Sequence, residues 1–108
     1  MKRKVRKELD HIRIEMAVAM TAGALDTSFE DVMGDGRGTA VVLARQVAMY
    51  VAVVGFGMSY GRVASVMGRD RSTVAHAIRQ VEIRREDPAF DRWLDALEMT
   101  ASTTPVLS

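Results

Sequence analysis

The chain has 108 residues, no cysteine and a formal net charge of +1 near neutral pH. Its length predicts one domain whose core can form without a disulfide or a metal ion. The lack of cysteine excludes disulfide frameworks, thiolate metal sites and cysteine nucleophiles. The longest nearly uninterrupted apolar run, residues 47–58, is about a dozen residues long, whereas a membrane-spanning helix needs about 20. The basic start MKRKVRK is not followed by the apolar segment of a signal peptide, so we expect a cytoplasmic protein without a membrane span.

The charges are unevenly distributed along the chain. Between residues 37 and 79, six arginines accompany a single acid, Asp70, and no lysine occurs. Residues 8–35 hold seven acids and one arginine, and residues 82–98 hold six acids and three arginines. A basic segment between two acidic ones predicts a surface directed at a polyanion, and the planar fork of arginine suits phosphate and guanine. The alternative interpretation is an ordinary solvated face. The six arginines are Arg37, Arg45, Arg62, Arg69, Arg71 and Arg79.

The apolar spacing predicts a helix over residues 2–25, in which residues 1–13 form a basic N-terminal extension. Five cations in its first turn oppose the helix dipole, so this end is interpreted as a solvated tail or, alternatively, an anion-binding end. Thr27 or Ser28 is placed to cap a short second helix. The predicted inner stripe of the first helix is Val5, Leu9, Ile12, Met16, Ala19 and Met20.

A glycine-rich loop, residues 34–38 with the sequence GDGRG, carries Arg37. It lacks the GK[ST] ending of a Walker loop, so we do not expect it to bind a nucleotide. A mobile loop with one arginine is instead suited to reach into a DNA minor groove. Residues 39–54 then predict a central, buried helix that ends at Gly55 and Gly57. Its predicted inner stripe is Leu43, Val47, Tyr50, Val51 and Val54.

Residues 59–85 have the pattern of a helix-turn-helix: a short helix, a turn containing glycine and a longer helix with a polar outer face. Ser59 is expected to cap the short helix, Gly68 to end it and Asp70 to cap the longer one with its carboxylate. On the longer helix, slim side chains would allow a close approach to base edges. Its predicted inner residues are Val74, Ala77, Ile78 and Val81, and its predicted outer residues are Arg71, Ser72, His76 and Arg79.

The last predicted helix follows Asp87 and Pro88 and ends near Glu98, and residues 99–108 are predicted to be a disordered tail. Trp93 is interpreted as a core or lid anchor, with docking of a partner as the alternative. The acids at positions 91, 95 and 98 are spaced like a solvated face. No segment alternates as a strand does, so the predicted fold is all-α with five or six helices in a single domain, residues 1–98.

The sequence offers no catalytic constellation. His11 and His76 lie on different predicted helices without the spacing of metal ligands. Ser72 and His76 share a helix face, but no third orienting group accompanies them. We therefore expect a protein that is not an enzyme and needs no cofactor or metal.

Two segments resemble one known family. GRDRSTVAHAIRQVE resembles the signature of the C-terminal DNA-binding domain of the bacterial replication initiator DnaA, and ARQVAMYVA, residues 44–52, resembles the central helix of that domain. The resemblance extends over about residues 14–98. It implies a Trp-repressor-like helix-turn-helix fold that binds short double-stranded boxes.

The resemblance also implies which residues contact DNA. Arg37 would enter the minor groove, and the base-reading set on the second helix of the motif would be Asp70, Arg71, Ser72, Thr73 and His76. The phosphate-binding set, partly from the resemblance and partly from position and charge, is Arg45, Gln46, Ser59, Tyr60, Arg62, Arg69 and Arg79.

Some positions depart from the family pattern. Only Gly68 precedes Arg69 where the family usually has two glycines, and Arg71 stands where the family usually has histidine. Tyr60 and Gly61 replace a Leu-Pro pair, and the nucleotide-binding motor is absent from these residues. We therefore expect a stand-alone, sequence-specific binder of double-stranded DNA that regulates replication or transcription without ATPase activity. The alternative is a protein-interaction adaptor that uses the first or last helix.

Overall fold

A computed structural model describes residues 2–105, and its elements are helical throughout that range. The prediction of an all-α fold with five or six helices is confirmed, because six α-helices are present. A π-helical turn, Val51–Gly55, follows the third of them. The helices are α1 (Arg3–Ala24), α2 (Phe29–Met33), α3 (Thr39–Tyr50), α4 (Tyr60–Met67), α5 (Arg71–Arg84) and α6 (Pro88–Thr103).

The core is organised around α3, which packs against α1, α2 and α5. Helix α4 lies against α1 and α5, and the π-helical turn packs against α6. Val47 of α3 is fully buried, as are Val18 of α1 and Val74 of α5. Among residues 2–105, no helix combines the length and the apolar character needed to cross a membrane.

Local capping chemistry fixes several of the helix boundaries. The Ser28 hydroxyl accepts from the Asp31 amide of α2 at 3.0 Å, and the Ser59 hydroxyl accepts from the Arg62 amide of α4 at 3.2 Å. Gly68 ends α4 in the left-handed conformation with φ +65°. The caps predicted at Ser59 and Gly68 are therefore present.

The buried face of α1 differs from the predicted stripe. Val5 and Ala19, both predicted to face inward, are exposed. The buried stripe includes two polar residues, Asp10 and Thr21, whose polarity hid it from a search for apolar periodicity. Both are satisfied internally, since Arg62 donates to Asp10 and the Thr21 hydroxyl donates to the Ala17 carbonyl at 3.0 Å. The buried residues are Leu9, Asp10, Ile14, Ala17, Val18, Thr21 and Ala22.

The π-helical turn also corrects a predicted core position. Val54 was expected to face inward but is 48% exposed. A π-helical turn winds more residues per turn than an α-helix, so it rotates the residues that follow it relative to the α-helical spacing. Val51 remains buried, whereas Val54 is turned toward solvent.

The last helix continues beyond the predicted end, and the prediction of a disordered tail from residue 99 is wrong for residues 99–103. Ala101 is buried because Gly55 has no side chain; a Cβ atom on Gly55 would lie 2.8 Å from the Ala101 Cβ atom. The threonine hydroxyls of this last turn bond back to helix carbonyls, as in the 2.7 Å bond from Thr103 to Met99. Residues 104 and 105 follow the helix without regular secondary structure, and residues 106–108 of the predicted tail lie outside the described residues.

The acids of α6 converge on one arginine rather than forming a merely solvated face. Arg85 donates from Nε to Asp91 at 2.5 Å and from Nη1 to Glu98 at 2.6 Å, and its other terminal nitrogen bonds to Asp95. Nη1 also donates to the Tyr50 hydroxyl at 2.9 Å. Arg85 therefore ties α6 to the end of α3, a contact that the spacing of the acids did not reveal.

Candidate nucleic-acid interface

Helix α5 presents the two faces that its periodicity predicted. Its four predicted inner residues are all buried in the core. The opposite face points to solvent. Its first three turns carry short polar and basic side chains, and Ile83, which is 53% exposed, lies near its C-terminal end. The exposed residues there are Arg71, Ser72, Thr73, His76 and Arg79.

The turn between α4 and α5 needs only one glycine. Gly68 supplies the left-handed residue, and the Arg69 amide donates to the Ala64 carbonyl at 2.9 Å. The Arg71 side chain then lies over Gly61, since a Cβ atom there would sit 3.7 Å from the Arg71 Cδ atom. The guanidinium of Arg71 is thus placed beside the N-terminal turn of α4, near exposed Ser59 and half-buried Tyr60.

Asp70 occupies the N-cap position of α5, but its carboxylate makes no capping hydrogen bond. Its backbone carbonyl begins the helix by accepting from the Thr73 amide at 3.0 Å. The expectation that the side chain caps the helix is therefore wrong. The exposed carboxylate remains available to accept from a base donor.

A hollow of about 140 Å³ separates the outer part of α3 from α5. It brings Gln46 of α3 together with Thr73 and His76 of α5. Arg45 and Arg69 also line it, so five of the predicted contact residues meet in one place.

Arg45 is engaged within the protein. Its Nε donates to the Val32 carbonyl at 3.0 Å, and its Nη2 donates to the carbonyls of Asp31 at 2.7 Å and Gly36 at 2.9 Å. Burial, together with the nearby charge of Arg69, lowers the pKa of Arg45 from its ordinary value. These bonds occupy Nε and Nη2 of Arg45, so the expected phosphate contact would fall to Nη1.

Arg69 is engaged in the same region. Its Nη2 donates to the Gly34 carbonyl at 2.5 Å and lies 3.2 Å from a carboxylate oxygen of Asp35, which is almost fully exposed. The expected phosphate contact therefore competes with two contacts to the glycine-rich loop.

Arg62 faces α1 instead of an open surface. Its Nε donates to the Asp10 carboxylate at 2.9 Å, and Nη2 donates to the other carboxylate oxygen. This two-pronged bond is the main reason why the pKa of Asp10 is lowered, against the opposing effect of burial. Arg13 adds a longer contact of 3.4 Å. The structure thus gives Arg62 a partner that its position in the sequence did not suggest.

Arg37 is exposed on the loop between α2 and α3. Within residues 2–105, no acidic group forms an ion pair with it. Arg37 and Arg79 therefore keep their guanidinium groups available, in contrast to Arg45, Arg62 and Arg69.

Two further surfaces were not assigned a specific contact from the sequence. The first is a hollow of about 270 Å³ beside the start of α1, where Arg3, Arg6, Lys7 and His11 lie around the Arg62–Asp10 pair. The second is an open apolar hollow on α6 that is lined by Pro88, Ala89, Arg92, Trp93 and Ala96. The Trp93 ring packs on Phe90 of the same helix at 5.5 Å between centroids and is half-buried against the core. No group of three or more metal-ligating side chains lies within the described part of the chain.

A short helix, a one-glycine turn and a longer helix with an exposed polar face define a helix-turn-helix domain. Residues 14–81 match the bacterial DnaA protein helix-turn-helix family. The chain therefore belongs to that family.

Relatives and solved structures agree with this assignment. The chromosomal replication initiator protein DnaA of Lachnoclostridium phytofermentans is 28% identical over 96 residues, which is 87% of this chain and 21% of that protein. DnaA 1 of Chlamydia pneumoniae is 39% identical over 64 residues, 59% of this chain and 14% of that protein. The chain thus spans about a fifth or less of these relatives.

Among solved structures, a DNA replication initiation factor superposes with a TM-score of 0.79 and 31% identity, covering 93% of this chain and 30% of that one. A replication initiator DnaA bound to AMPPCP and single-stranded DNA superposes with a TM-score of 0.80 and 28% identity, covering 97% of this chain and 31% of that one.

Proposed function

We propose that this chain binds double-stranded DNA in a sequence-specific manner, with α5 in the major groove and Arg37 in the adjacent minor groove. The observation that carries the proposal is the exposed outer face of α5, where short polar side chains and two arginines stand on a helix whose other face is buried. Such a helix can enter a groove without a steric barrier. The bacterial relatives named as replication initiators support DNA as the partner.

The roles follow from exposure and chemistry. Arg71 and His76 supply donors for base edges, Ser72 and Thr73 can contact bases or phosphates, and Asp70 accepts from a base amine. Phosphate contacts come from Arg79, Gln46, Ser59 and Tyr60. The activity is binding and not catalysis, and it regulates replication initiation or transcription in the bacterial cytoplasm.

The test is a fluorescence-anisotropy titration of wild-type protein across a salt series. One duplex contains the short box that the DnaA family binds, and the other has a random sequence. We expect tighter binding to the box-containing duplex and a steep fall in affinity with salt. Arg71→Ala should reduce the preference between duplexes by about 1 to 3 kcal/mol. Arg79→Ala should weaken both duplexes alike and reduce the salt slope by about 1.

Arg92→Ala is the matched control, because Arg92 is an exposed arginine on α6, away from α5. Equal binding of both duplexes by wild-type protein would refute sequence specificity. No binding at low salt would refute DNA recognition altogether.

The alternative is a protein-interaction adaptor, and the apolar hollow beside Trp93 gives it a surface. In that case, duplex binding would be absent, and a Trp93→Ala variant would lose its partner while Arg71→Ala would retain it.

A further inference from the structure

The loop that carries Arg37 is fastened at several points. It follows α2, a helix of five residues whose last carbonyl groups have no partners within the helix. The Arg45 guanidinium satisfies two of these carbonyls, those of Asp31 and Val32, and reaches Gly36 in the loop itself. One side chain from α3 thus caps α2 and holds the loop.

A second arginine holds the loop from the other side. Arg69 lies in the turn just before α5, and it donates to the Gly34 carbonyl and pairs with Asp35. The start of the proposed reading helix and the start of the Arg37 loop are therefore joined directly.

Gly36 makes this arrangement possible because it approaches α2 very closely. Its amide donates to the Asp31 carbonyl at 3.2 Å. A Cβ atom at position 36 would lie 2.7 Å from the Asp31 Cβ atom and 2.8 Å from the Asp31 carbonyl oxygen. A larger residue would therefore push the loop away from the Arg45 side chain.

We propose that Arg45, Arg69 and Gly36 form a clamp that holds the Arg37 loop in a fixed position relative to α5, so that both grooves are read by one rigid unit. The proposal rests on the DNA binding proposed above. Arg45 and Arg69 are then positioning residues and not primary phosphate ligands, because Nε and Nη2 of Arg45 and Nη2 of Arg69 are already bonded to carbonyls of α2 and the loop. A loop held in place before binding loses less conformational entropy on the DNA, which increases affinity without adding a contact.

A double-mutant cycle separates positioning from phosphate binding. Arg45→Lys keeps the charge but loses the fork that reaches three carbonyls. If Arg45 were a phosphate ligand, lysine would replace it with little loss, whether or not Arg37 were present. If Arg45 positions the loop, Arg45→Lys should weaken duplex binding about tenfold in the wild-type background. In the Arg37→Ala background, the same substitution should weaken it by less than about twofold.

Gly36→Ala provides an independent variant in which every cation is retained. It should repeat the pattern of Arg45→Lys: weaker binding, no further loss when combined with Arg37→Ala, and reduced discrimination between A·T and G·C pairs in the minor groove. Gly23→Ala is the matched glycine control, since a Cβ atom there meets no atom within 4 Å. Arg92→Lys is the matched arginine control. Additive losses in either cycle would overturn the proposal.

Hydrogen exchange in the free protein tests the clamp without DNA. The amide of Gly36 should exchange faster in Arg45→Lys than in wild type, while the amides of α5 keep their protection, which also shows that the variant is folded. Unchanged exchange at Gly36 would refute the clamp even if the protein binds DNA. If the wild-type protein bound no duplex, both the proposed function and the role of the clamp in DNA recognition would be refuted. Faster exchange of the Gly36 amide in Arg45→Lys would still show that Arg45 holds the loop.

Discussion

Replacing Arg62 by methionine removes both short bonds that the carboxylate of Asp10 receives. The Asp10 side chain is only 7% exposed, so water cannot fully replace the lost donors, and Arg13 remains only as a 3.4 Å contact. Two hydrogen bonds to a charged group contribute about 3 kcal/mol or more in a shielded setting. Since the Arg62 side chain is 35% exposed, solvent screening reduces this, and we expect a loss of about 2 kcal/mol in the free energy of unfolding.

The loss should depend on pH in a defined direction. The pKa of Asp10 is lowered in the folded protein, so the pair contributes fully above the pKa of the unfolded chain, about 4. Its contribution is lost as the pH falls through the lower folded-state pKa. In Arg62→Met, burial raises the pKa of the Asp10 carboxyl, and only Arg13 opposes this effect. Protonation of Asp10 at low pH therefore removes the unfavourable buried charge from the variant. The gap between wild type and variant should therefore be widest near neutral pH and narrow below about pH 4.

The assay is urea unfolding followed by circular dichroism at several pH values. At neutral pH, the midpoint should fall by about 1 M or more for a domain of this size. The double variant Asp10→Asn/Arg62→Met should recover part of the loss, because it leaves no buried charge. A midpoint that does not move, or a gap that stays constant down to pH 3, would refute this account of the pair. The salt slope of duplex binding should also stay unchanged in Arg62→Met, and a fall of about 1 would restore the phosphate role expected from the sequence.

Two further predictions concern the contacts that fasten α6. Arg85→Met should lower the free energy of unfolding by about 2 kcal/mol, because the Tyr50 hydroxyl and Glu98 lose a partly buried donor. Burial already raises the pKa of Tyr50, and the variant should raise it further because the Arg85 hydrogen bond that opposes this effect is lost. Urea unfolding measures the first effect, and an ultraviolet titration of tyrosine measures the second. Gly55→Ala should cost about 1 to 3 kcal/mol in the same unfolding assay, since its Cβ atom would lie 2.8 Å from the Ala101 Cβ atom and push α6 outward.

The control for Arg85→Met is Arg92→Met, because Arg92 is an exposed arginine on α6. The control for Gly55→Ala is Gly23→Ala, because a Cβ atom at position 23 meets no atom within 4 Å. A stability of Arg85→Met equal to that of Arg92→Met would show that the Arg85 contacts contribute nothing measurable. Wild-type stability in Gly55→Ala would show that α6 can move away from the π-helical turn without loss.

The existence of the helices and the faces of α5 followed from the sequence because both depend on local periodicity and capping. Val74 and Val81 recur at helical spacing, and Ser59 and Gly68 cap α4 through contacts within their own segment of the chain. The buried face of α1 was not predicted correctly because it contains Asp10 and Thr21. The burial of these two residues depends on hydrogen-bond partners in other turns and helices.

The roles of the arginines were decided by the tertiary structure. The sequence determined that six arginines lie between residues 37 and 79, and that Arg71 and Arg79 fall on the outer face of α5. It did not determine that Arg45 and Arg69 reach the carbonyls of Gly36 and Gly34 in the Arg37 loop, or that Arg62 reaches Asp10, 52 positions away. A guanidinium group has the same charge and the same donors in every one of these settings, and only the packing of α1, α2 and α3 around the helix-turn-helix selects the acceptor that each one meets.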